Sequence, residues 1–270
     1  MTSRTGLTQN ELKALAYFAV GVTSEGSIGG RDVSYRLSFA GNVGRDGLME
    51  PAGNSGYSFG TLQIDLGQHP NVAPEFLDAY QAWATRQPDH ATLKFSASEY
   101  TATLTALQRT GHAMEDDHAY DIDRSRLNRF LATETGQNFV HALDTRHVAG
   151  VTAVDVTARN GDSALERLQR TPLYQQASDA DQARLAGMFM KLQNQSNNLY
   201  VPRLLSRVTS GEYSSADNVK AGIDGLMRNG RNGSSDFIES GADNTLRGTA
   251  LFNLLRAAST TNPLSEAWNT

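Results

Sequence analysis

Two carboxylates, Glu25 and Asp65, are the side chains whose type and spacing suggest chemistry. Glu25 ends a stretch of helical periodicity just before a glycine, and Asp65 lies forty residues later in a stretch of alternating polarity. The negative end of a helix dipole disfavours an ionised carboxylate, and partial burial adds to this effect, so Glu25 has the environment of a general acid. A hairpin folding back over the helix end would bring Asp65 across a cleft from Glu25. Such paired carboxylates cleave glycosidic bonds.

The element that must position Glu25 is predicted to be a helix that starts near Thr8. Thr8 and Glu11 have the spacing of a capping box. Apolar residues then recur at helical intervals, namely Leu12, Leu15, Ala16, Ala19 and Val22. The glycines Gly26, Gly29 and Gly30 are predicted to end the helix.

Asp65 is predicted to lie on a strand of a small β-lobe. In "GYSFGTLQIDLGQHP" (56–70), alternation places Gln63 and Asp65 on one face and apolar residues, including Ile64, on the other. The stretch "VSYRLSF" (33–39) alternates in the same way and predicts a second strand. Residues 42–55 between them are predicted to be a glycine-rich loop. The sequence therefore predicts a β-lobe over about residues 31–66.

Beyond about residue 74 the pattern is helical, and we expect a large helical lobe over about 74–260. The segments with helical spacing of apolar residues are 73–87, 96–114, 123–148, 180–211, 215–230 and 243–259. The "NGRNGSS" stretch (229–235) is predicted to be a loop. The fold class expected is α+β, mainly α, as a single domain over 1–270.

The order of these elements resembles the lysozyme-like superfamily, most closely goose-type lysozymes and lytic transglycosylases. The resemblance is carried by Ser24-Glu25-Gly26 at a helix end, by "SFGTLQID" (58–65) on the strand, and by the "QHP" (68–70) that follows. It covers about 45 residues of the chain. The resemblance implies a lysozyme-like fold, with Glu25 as the general acid and Asp65 positioning or activating water.

The identity of the second acid stays open, because the sequence departs from that family's pattern. The gap between Glu25 and the motif is longer than in goose-type lysozymes, and Asn54 stands where they often carry an extra Asp. The loop offers Asp46 and Glu50 instead, which is reminiscent of chitosanase-like and phage-type lysozymes. The candidates for the base are therefore Asp65, then Glu50, then Asp46.

Several side chains are predicted to bind the saccharide. By resemblance, Gln63 and Ser58 would line the cleft, and Tyr57-Ser58 would stand in for a turn of the phage-type enzymes. The downstream stretch "MKLQNQSNNLYVPRL" is rich in amides. It is either an exposed helix end capped by asparagines or a surface that hydrogen-bonds sugar hydroxyl and N-acetyl groups. On the second interpretation the binding residues are Gln193, Asn194, Asn197 or Tyr200.

Composition excludes several other classes of protein. The chain contains no cysteine, which excludes disulfides and cysteine-ligated metals, and its formal net charge of −5 argues against non-specific nucleic-acid binding. His112 and Asp116 have the spacing of two zinc ligands, but a solvated acidic turn is the preferred interpretation. We expect no metal, no cofactor and no membrane-inserted segment.

The expected function is hydrolysis of the β-1,4 bond between N-acetylmuramic acid and N-acetylglucosamine in peptidoglycan, with inversion at the anomeric carbon. The alternatives are a lytic transglycosylase, a chitosanase-like glycosidase and a non-catalytic glycan-binding domain. The N-terminus lacks the pattern of a signal peptide. We therefore expect synthesis in the cytoplasm and action in the periplasm or cell wall, as a phage endolysin released through a holin or as a secreted antibacterial effector. An effector would require an immunity or inhibitor protein as a further partner.

Overall fold

The structure, a computed structural model, describes residues 6–25, 31–115, 117–118, 122–152, 164–196, 200–227 and 235–258. The chain divides into two compact units. Unit 1 comprises Met1–Ser27 and Thr145–Thr270, and unit 2 comprises Ile28–Asp144. In the order of the chain, unit 2 is thus an insertion after the first helices of unit 1. The predicted organisation as one catalytic domain stays a prediction, and most of the predicted loop at 229–235 lies outside the described residues.

Helices make up most of the structure, 68 % against 8 % strand, so the predicted α+β, mainly α class is confirmed. A π-helix spans Ala16–Glu25 and a 3₁₀ helix spans Gly111–Met114. The α-helices are α1 (Gln9–Leu15), α2 (Arg31–Ser34), α3 (Val72–Thr85), α4 (His90–Leu93), α5 (Ala97–Leu107), α6 (Arg124–Leu131), α7 (Glu134–Thr152), α8 (Ala164–Gln169), α9 (Pro172–Gln176), α10 (Asp179–Ser196), α11 (Val201–Thr209), α12 (Ala216–Met227) and α13 (Ser235–Ala258).

The strands are short, and all of the described ones belong to unit 2. They are β1 (Ser38–Phe39), β2 (Gly41–Val43), β3 (Met49–Pro51), β4 (Tyr57–Phe59) and β5 (Ile64–Asp65). One antiparallel sheet has the order β1-β4-β5, with Ser58 opposite both Ser38 and Asp65. The second sheet is the antiparallel hairpin of β2 and β3.

The first helical segment begins as predicted but changes its winding. Both hydrogen bonds of the capping box between Thr8 and Glu11 are present at the start of α1. From Ala16 the helix continues as a π-helix rather than an α-helix. The predicted α-helical periodicity is therefore wrong for residues 16–25. Val22, which was predicted to face the core, is half-buried, whereas Val20 is fully buried.

In unit 1 the π-helix packs against α10 and α13, and glycines of α13 lie close to both. A Cβ on Gly248 would overlap with Thr23 Oγ1 of the π-helix, and a Cβ on Gly241 would lie 2.7 Å from Lys191 Cε of α10. Ser24 Oγ donates to the carbonyl of Gly241 at 3.0 Å. These contacts leave no room for larger residues, so the glycines fix how α13 lies on the π-helix.

Unit 2 has its own apolar core, in which the sheet packs against α3, α6 and α7. The Phe59 ring lies 4.7 Å from that of Phe76, and Phe130 and Phe139 extend the aromatic cluster. Trp83 is buried there as well. Phe59 immediately precedes the turn that joins β4 to β5, so this core anchors the turn.

Three of the predictions for the β-lobe need correction. The stretch 33–39 is not one strand, because Val33 and Ser34 belong to α2 and only Ser38–Phe39 pair as β1. Between them, Leu37 N–H donates to Asn128 Oδ1 at 2.7 Å. The predicted loop at 42–55 contains β2 and β3, joined by a turn in which Gly47 has φ of +85°. Asp-Gly at 46–47 is a hairpin signal that the sequence analysis passed over. Finally, 56–66 is a hairpin rather than a single strand.

The predicted helical segments are confirmed as helices, although some of them form two separate helices. The segment 123–148 divides into α6 and α7, and the segment 180–211 divides into α10 and α11. In 96–114 only α5 is α-helical, and the end is a 3₁₀ helix. The short helices α8 and α9 were not predicted, because six and five residues hold too little periodicity to detect.

Candidate functional site

Glu25 is the last residue of the π-helix, and its side chain is only 10 % exposed. Its Oε1 atom accepts hydrogen bonds from Lys191 Nζ at 2.5 Å and from Asn194 Nδ2 at 2.8 Å, both on α10. No described residue donates a hydrogen bond to Oε2. One carboxylate oxygen is therefore held in place by two side chains of α10. The catalytic role of Glu25 stays a prediction.

Lys191 is a buried cation, with its side chain 2 % exposed. Among the described residues, Glu25 Oε1 is its one hydrogen-bond acceptor. Burial lowers the pKa of Lys191, and the neighbouring charge of Glu25 opposes this change. An ammonium group has three donors, so a single acceptor leaves the charged form poorly satisfied.

The polar network continues from Glu25 to a histidine. Asn194 Oδ1 lies 3.2 Å from His147 Nε2, on the part of α7 that belongs to unit 1. Asn194 was predicted to bind saccharide, but here its amide connects His147 to Glu25. On the next residue, both polar atoms of the Gln195 amide are buried, and no hydrogen-bond partner is found for them among the described residues. Buried amides without partners are rare in folded proteins.

Asp65 of unit 2 is bound by the backbone around it. Its carboxylate accepts N–H bonds from Gly56 at 2.7 Å, Gly67 at 2.9 Å and Gln68 at 3.1 Å. A Cβ at Gly56 would lie 2.8 Å from Asp65 Oδ1, which explains a glycine there. These bonds give Asp65 a structural role in closing the hairpin, and its role as a base stays a prediction.

The turn between β4 and β5 has an unusual backbone. Gly60 and Gln63 both have positive φ, +85° and +51°, and a non-glycine residue rarely adopts this conformation. The Gln63 amide donates to Gly60 O at 2.9 Å and accepts from Ser58 Oγ at 3.2 Å. Gln63 and Ser58, both predicted to line the cleft, therefore bind each other. Strained residues of this kind cluster at functional sites.

Asp144, at the end of unit 2, holds the same turn from α7. It is 1 % exposed, and its carboxylate accepts the Thr61 N–H at 2.9 Å. Burial raises the pKa of Asp144 to about 6, and the hydrogen bonds from Thr61 and Leu62 limit the rise. The turn is thus fixed by a buried acid that the sequence analysis did not single out.

The remaining predicted acids lie on the β2–β3 hairpin. Asp46 Oδ1 accepts the Leu48 N–H at 3.1 Å, within the exposed turn. Glu50 is exposed on β3, opposite Asn42, and no described residue forms a hydrogen bond or ion pair with its carboxylate. Glu50 therefore has the free carboxylate that Asp65 lacks.

The two tyrosines predicted to bind substrate occupy different environments. Tyr57 is 1 % exposed, and its hydroxyl donates to Met49 Sδ at 3.2 Å, so its ring belongs to the core of unit 2. Tyr200 is half-buried in unit 1 and immediately precedes α11. Asn197 lies outside the described residues. Saccharide binding by all of these residues stays a prediction.

A groove of about 450 Å³ in unit 1 contains none of the predicted site residues. It lies between α11 and α12, and Arg203, Arg207 and Tyr213 are among the residues that line it. Arg207 donates to the Tyr213 hydroxyl at 2.8 Å and pairs with Glu212 at 3.3 Å. Arg207 is thus already paired, and the groove indicates no particular ligand.

Sequence reasoning missed Lys191 and His147, which complete the network around Glu25. A signal for Lys191 was present, because it is the only charged residue in the run "LAGMFMKLQNQ" (185–195), whose other large side chains are apolar until the amides. A lysine on the apolar face of a helix needs a partner when it is buried. No comparable signal marks His147.

Within the described part of the chain, no cluster of three or more histidine, aspartate or glutamate residues could hold a metal ion. None of the described helices is both long and apolar enough to span a membrane. Comparison of the chain with protein-family models, curated proteins and solved structures finds no match.

Proposed function

We propose that the chain is a muramidase, a glycoside hydrolase that cleaves the β-1,4 bond between N-acetylmuramic acid and N-acetylglucosamine. The observation that supports this proposal is the placement of the Glu25 carboxylate. One oxygen is held by Asn194 and Lys191, and the other accepts no bond from a described residue. A positioned, largely buried carboxyl group with one available oxygen is what general acid catalysis at a glycosidic bond requires.

The substrate class follows from the resemblance of the Glu25 helix end and the 58–65 hairpin to lysozyme-like enzymes. The hairpin supports it further, because Gln63 has a strained backbone and such residues cluster at functional sites. The expected partners are the glycan strands of peptidoglycan. The proposal includes action in the periplasm or cell wall as an endolysin or antibacterial effector.

A lytic transglycosylase is the second candidate, and the contacts of Asp65 favour it. That reaction uses the same acid without an obligatory second carboxylate, and its product is an anhydro sugar. Three backbone N–H bonds occupy the Asp65 carboxylate, which leaves it less able to activate water. If a second carboxylate takes part, the exposed Glu50 is the freest of the three candidates.

Digestion of purified peptidoglycan, with products analysed by mass spectrometry, tests the proposal. Wild type should release reducing muropeptides, and Glu25→Gln should lower the rate about 10²- to 10⁴-fold. If Glu50→Gln or Asp65→Asn lowers the rate to a comparable extent, the substituted residue is the base. The control is Glu75→Gln, which changes an acid on the first turn of α3.

Each other outcome leads to a different function. Anhydro-muropeptides would make the protein a lytic transglycosylase. Activity on chitosan alone would make it a chitosanase. Binding of peptidoglycan without any product, unchanged in Glu25→Gln, would make it a glycan-binding domain and would refute the proposed catalysis.

A further inference from the structure

The charge of Glu25 poses a chemical problem for the proposed function. A general acid must carry a proton, yet Glu25 is paired at 2.5 Å with a lysine, and a neighbouring cation favours a carboxylate in its ionised form. The pair is held in place by its surroundings. Gly241 lies against Lys191 Cε, and Asn194 binds the same carboxylate oxygen as Lys191.

We propose that Lys191 is the source of the proton that Glu25 donates, an inference that rests on the proposed function. In the resting protein the pair is ammonium and carboxylate. When a glycan covers the small exposed part of Glu25, the proton passes from Lys191 Nζ to Glu25 Oε1. This leaves a neutral amine and a neutral carboxylic acid in a site without water.

Two observations favour the neutral pair in a closed site. Both side chains are already largely buried, at 2 % and 10 % exposure, and two charges are costly to hold in a medium of low dielectric constant. Moreover, Nζ has a single described acceptor, so the ammonium form lacks the bonds that would compensate its desolvation. Burial also lowers the pKa of Lys191, in agreement with this direction.

The geometry permits the acid to reach its substrate. The terminal torsion of a glutamate side chain is broad and roughly two-fold, so a half-turn of the carboxyl group exchanges its oxygens. The protonated oxygen then faces the ligand. The unprotonated oxygen then occupies the position that Oε1 held. There it accepts hydrogen bonds from Asn194 Nδ2 and from the neutral amine of Lys191.

The protons balance over one turnover. Glu25 gives its proton to the leaving glycosidic oxygen as the C–O bond breaks, and it returns to the carboxylate form. In the hydrolase, the attacking water gives one proton to the base, which releases it to solvent. After the product leaves, the Lys191 amine takes up one proton from solvent, and the ion pair is restored. Lys191 is therefore a positioning residue that acts through Glu25.

Two opposed influences act on the pKa of Lys191. Burial lowers it, and the charge and hydrogen bond of Glu25 raise it. Other charged groups on α10 and on the helices packed against it form ion pairs that do not include Lys191. They are Lys220 with Asp224 and Asp243, Arg256 with Glu11 and Asp179, and Arg184 with Asp181 and Asp217. The same helices carry Lys13, Glu166, Arg167, Arg203, Arg207 and Arg247, and no hydrogen bond or ion pair joins these to Lys191 among the described residues. His147 is linked to Glu25 through Asn194.

The test is the pH profile of kcat/KM for peptidoglycan cleavage by wild type, Lys191→Met and Lys191→Arg. If Lys191 supplies the proton, the alkaline limb of Lys191→Met should lie at least one pH unit below that of wild type. Arginine keeps the charge but does not release a proton, so Lys191→Arg should lose about 100-fold in activity at pH 7. Lys220→Met, another partly buried and ion-paired lysine, is the matched control and should keep the wild-type profile.

A lysine that merely provides charge gives the opposite result. The alkaline limb of Lys191→Met would then lie above that of wild type, or Lys191→Arg would keep the wild-type rate, and either result overturns the inference alone. An inactive wild type overturns the proposed function and this inference with it. Thermal unfolding checks that the variants fold. If the variants do not fold, the ¹⁵N NMR spectrum of the lysine side chains in the wild-type protein tests the inference instead. A bound peptidoglycan oligosaccharide should convert the Lys191 ammonium signal to that of an amine. An unchanged signal refutes the inference.

Discussion

The two units hold their acids by different means. In unit 1, Glu25 is bound by the side chains of Lys191 and Asn194, which lie more than 160 residues away in the chain. In unit 2, Asp65 is bound by backbone N–H groups that lie within nine residues of it. A carboxylate held by its own hairpin stabilises that hairpin. A carboxylate held by a buried cation on a distant helix, as Glu25 is, is not needed to form the local structure around it.

This difference bears on function because buried charge is costly. Replacing a buried ion pair by apolar residues is often neutral or stabilising, so such a pair is weak evidence for a role in stability. The Glu25–Lys191 pair is therefore the better candidate for chemistry, and Asp65 the better candidate for structure. Four predictions test this comparison, from the largest expected effect to the smallest.

The largest effect is expected from Glu25→Ala, which leaves the Lys191 ammonium buried without its partner. The free energy of unfolding at pH 7 should fall by about 3–5 kcal/mol. Because unfolded Lys191 then binds a proton more readily than folded Lys191, the stability of the variant should rise with pH toward 10 relative to wild type. Chemical denaturation at several pH values measures this. The double variant Glu25→Ala/Lys191→Met should recover most of the loss, and no recovery would contradict the assignment of a buried pair.

The next effect concerns Asp144, the buried acid of unit 2. Its pKa is about 6 in the folded protein, above its usual value of 3.8, so the folded state binds more protons than the unfolded state between these values. Stability from this group is therefore present at pH 4 and decreases as the pH rises through 6. Each pKa unit is worth about 1.4 kcal/mol, so the loss is about 2–3 kcal/mol.

Asp144→Asn should remove this dependence, since its amide oxygen can still accept the N–H of Thr61. The advantage of the variant over wild type in the free energy of unfolding should grow between pH 4 and pH 7. Denaturation curves at both pH values give the comparison, with Asp78→Asn on the exposed part of α3 as control. Parallel pH profiles for wild type and Asp144→Asn would contradict the raised pKa.

Asp65→Asn should cost about 1–2 kcal/mol of stability, whether or not Asp65 takes part in catalysis. An asparagine oxygen can still accept from Gly67 and Gln68, but its amide group would then face the Gly56 N–H, which loses its acceptor. Asp46→Asn, in an exposed turn with one such bond, should change the stability by less than about 0.5 kcal/mol. Equal stability of the two variants would remove the structural role of Asp65.

The smallest effects come from a matched pair of glycines, one in each unit, neither with an atom within 4 Å of an added Cβ. Gly53 in unit 2 has φ of +62°, so Gly53→Ala should destabilise by about 1 kcal/mol. Gly225 lies in α12, where Gly225→Ala should stabilise by about 0.5–1 kcal/mol. Thermal unfolding measures both changes. A change of the same sign at both positions would show that backbone conformation does not determine the effect of these substitutions on stability.

Local patterns predicted much of this fold. The capping box at Thr8, the helical segments beyond residue 74 and a small antiparallel sheet near the N-terminus all follow from spacing that acts over a few residues. Spacing did not predict the π-helix, because the apolar pattern indicates a helix but not its winding. The π-helix packs against α10 and α13, which come more than 150 residues later in the chain, so these contacts are not visible in the local sequence.

The site was predictable only in its central residue. Glu25 was identified from its place at a helix end, but its partners come from helices whose position the sequence does not reveal. Asp144 resembles any solvated helical acid in "HALDTRHV", and its partner Thr61 lies 83 residues away. Gln63 was assigned to a strand because alternation alone does not distinguish a strand from a tight hairpin.

The π-winding also decides which way Glu25 points. Nine residues separate it from the buried Ala16, which is about two and a half turns of an α-helix but close to two turns once i→i+5 bonding adds nearly one residue to each turn. An α-helix would therefore place Glu25 opposite Ala16, whereas the π-helix places both on one side.

The insertion of unit 2 has a consequence for the order of synthesis on the ribosome. Unit 2 is complete once residue 144 has emerged, whereas the π-helix at the N-terminus packs against α13, which ends at Ala258. The Glu25 network therefore assembles only after α10 has been synthesised, and the packing of the π-helix is completed only by α13. A nascent chain that ends before α10 lacks both side chains that hold the Glu25 carboxylate.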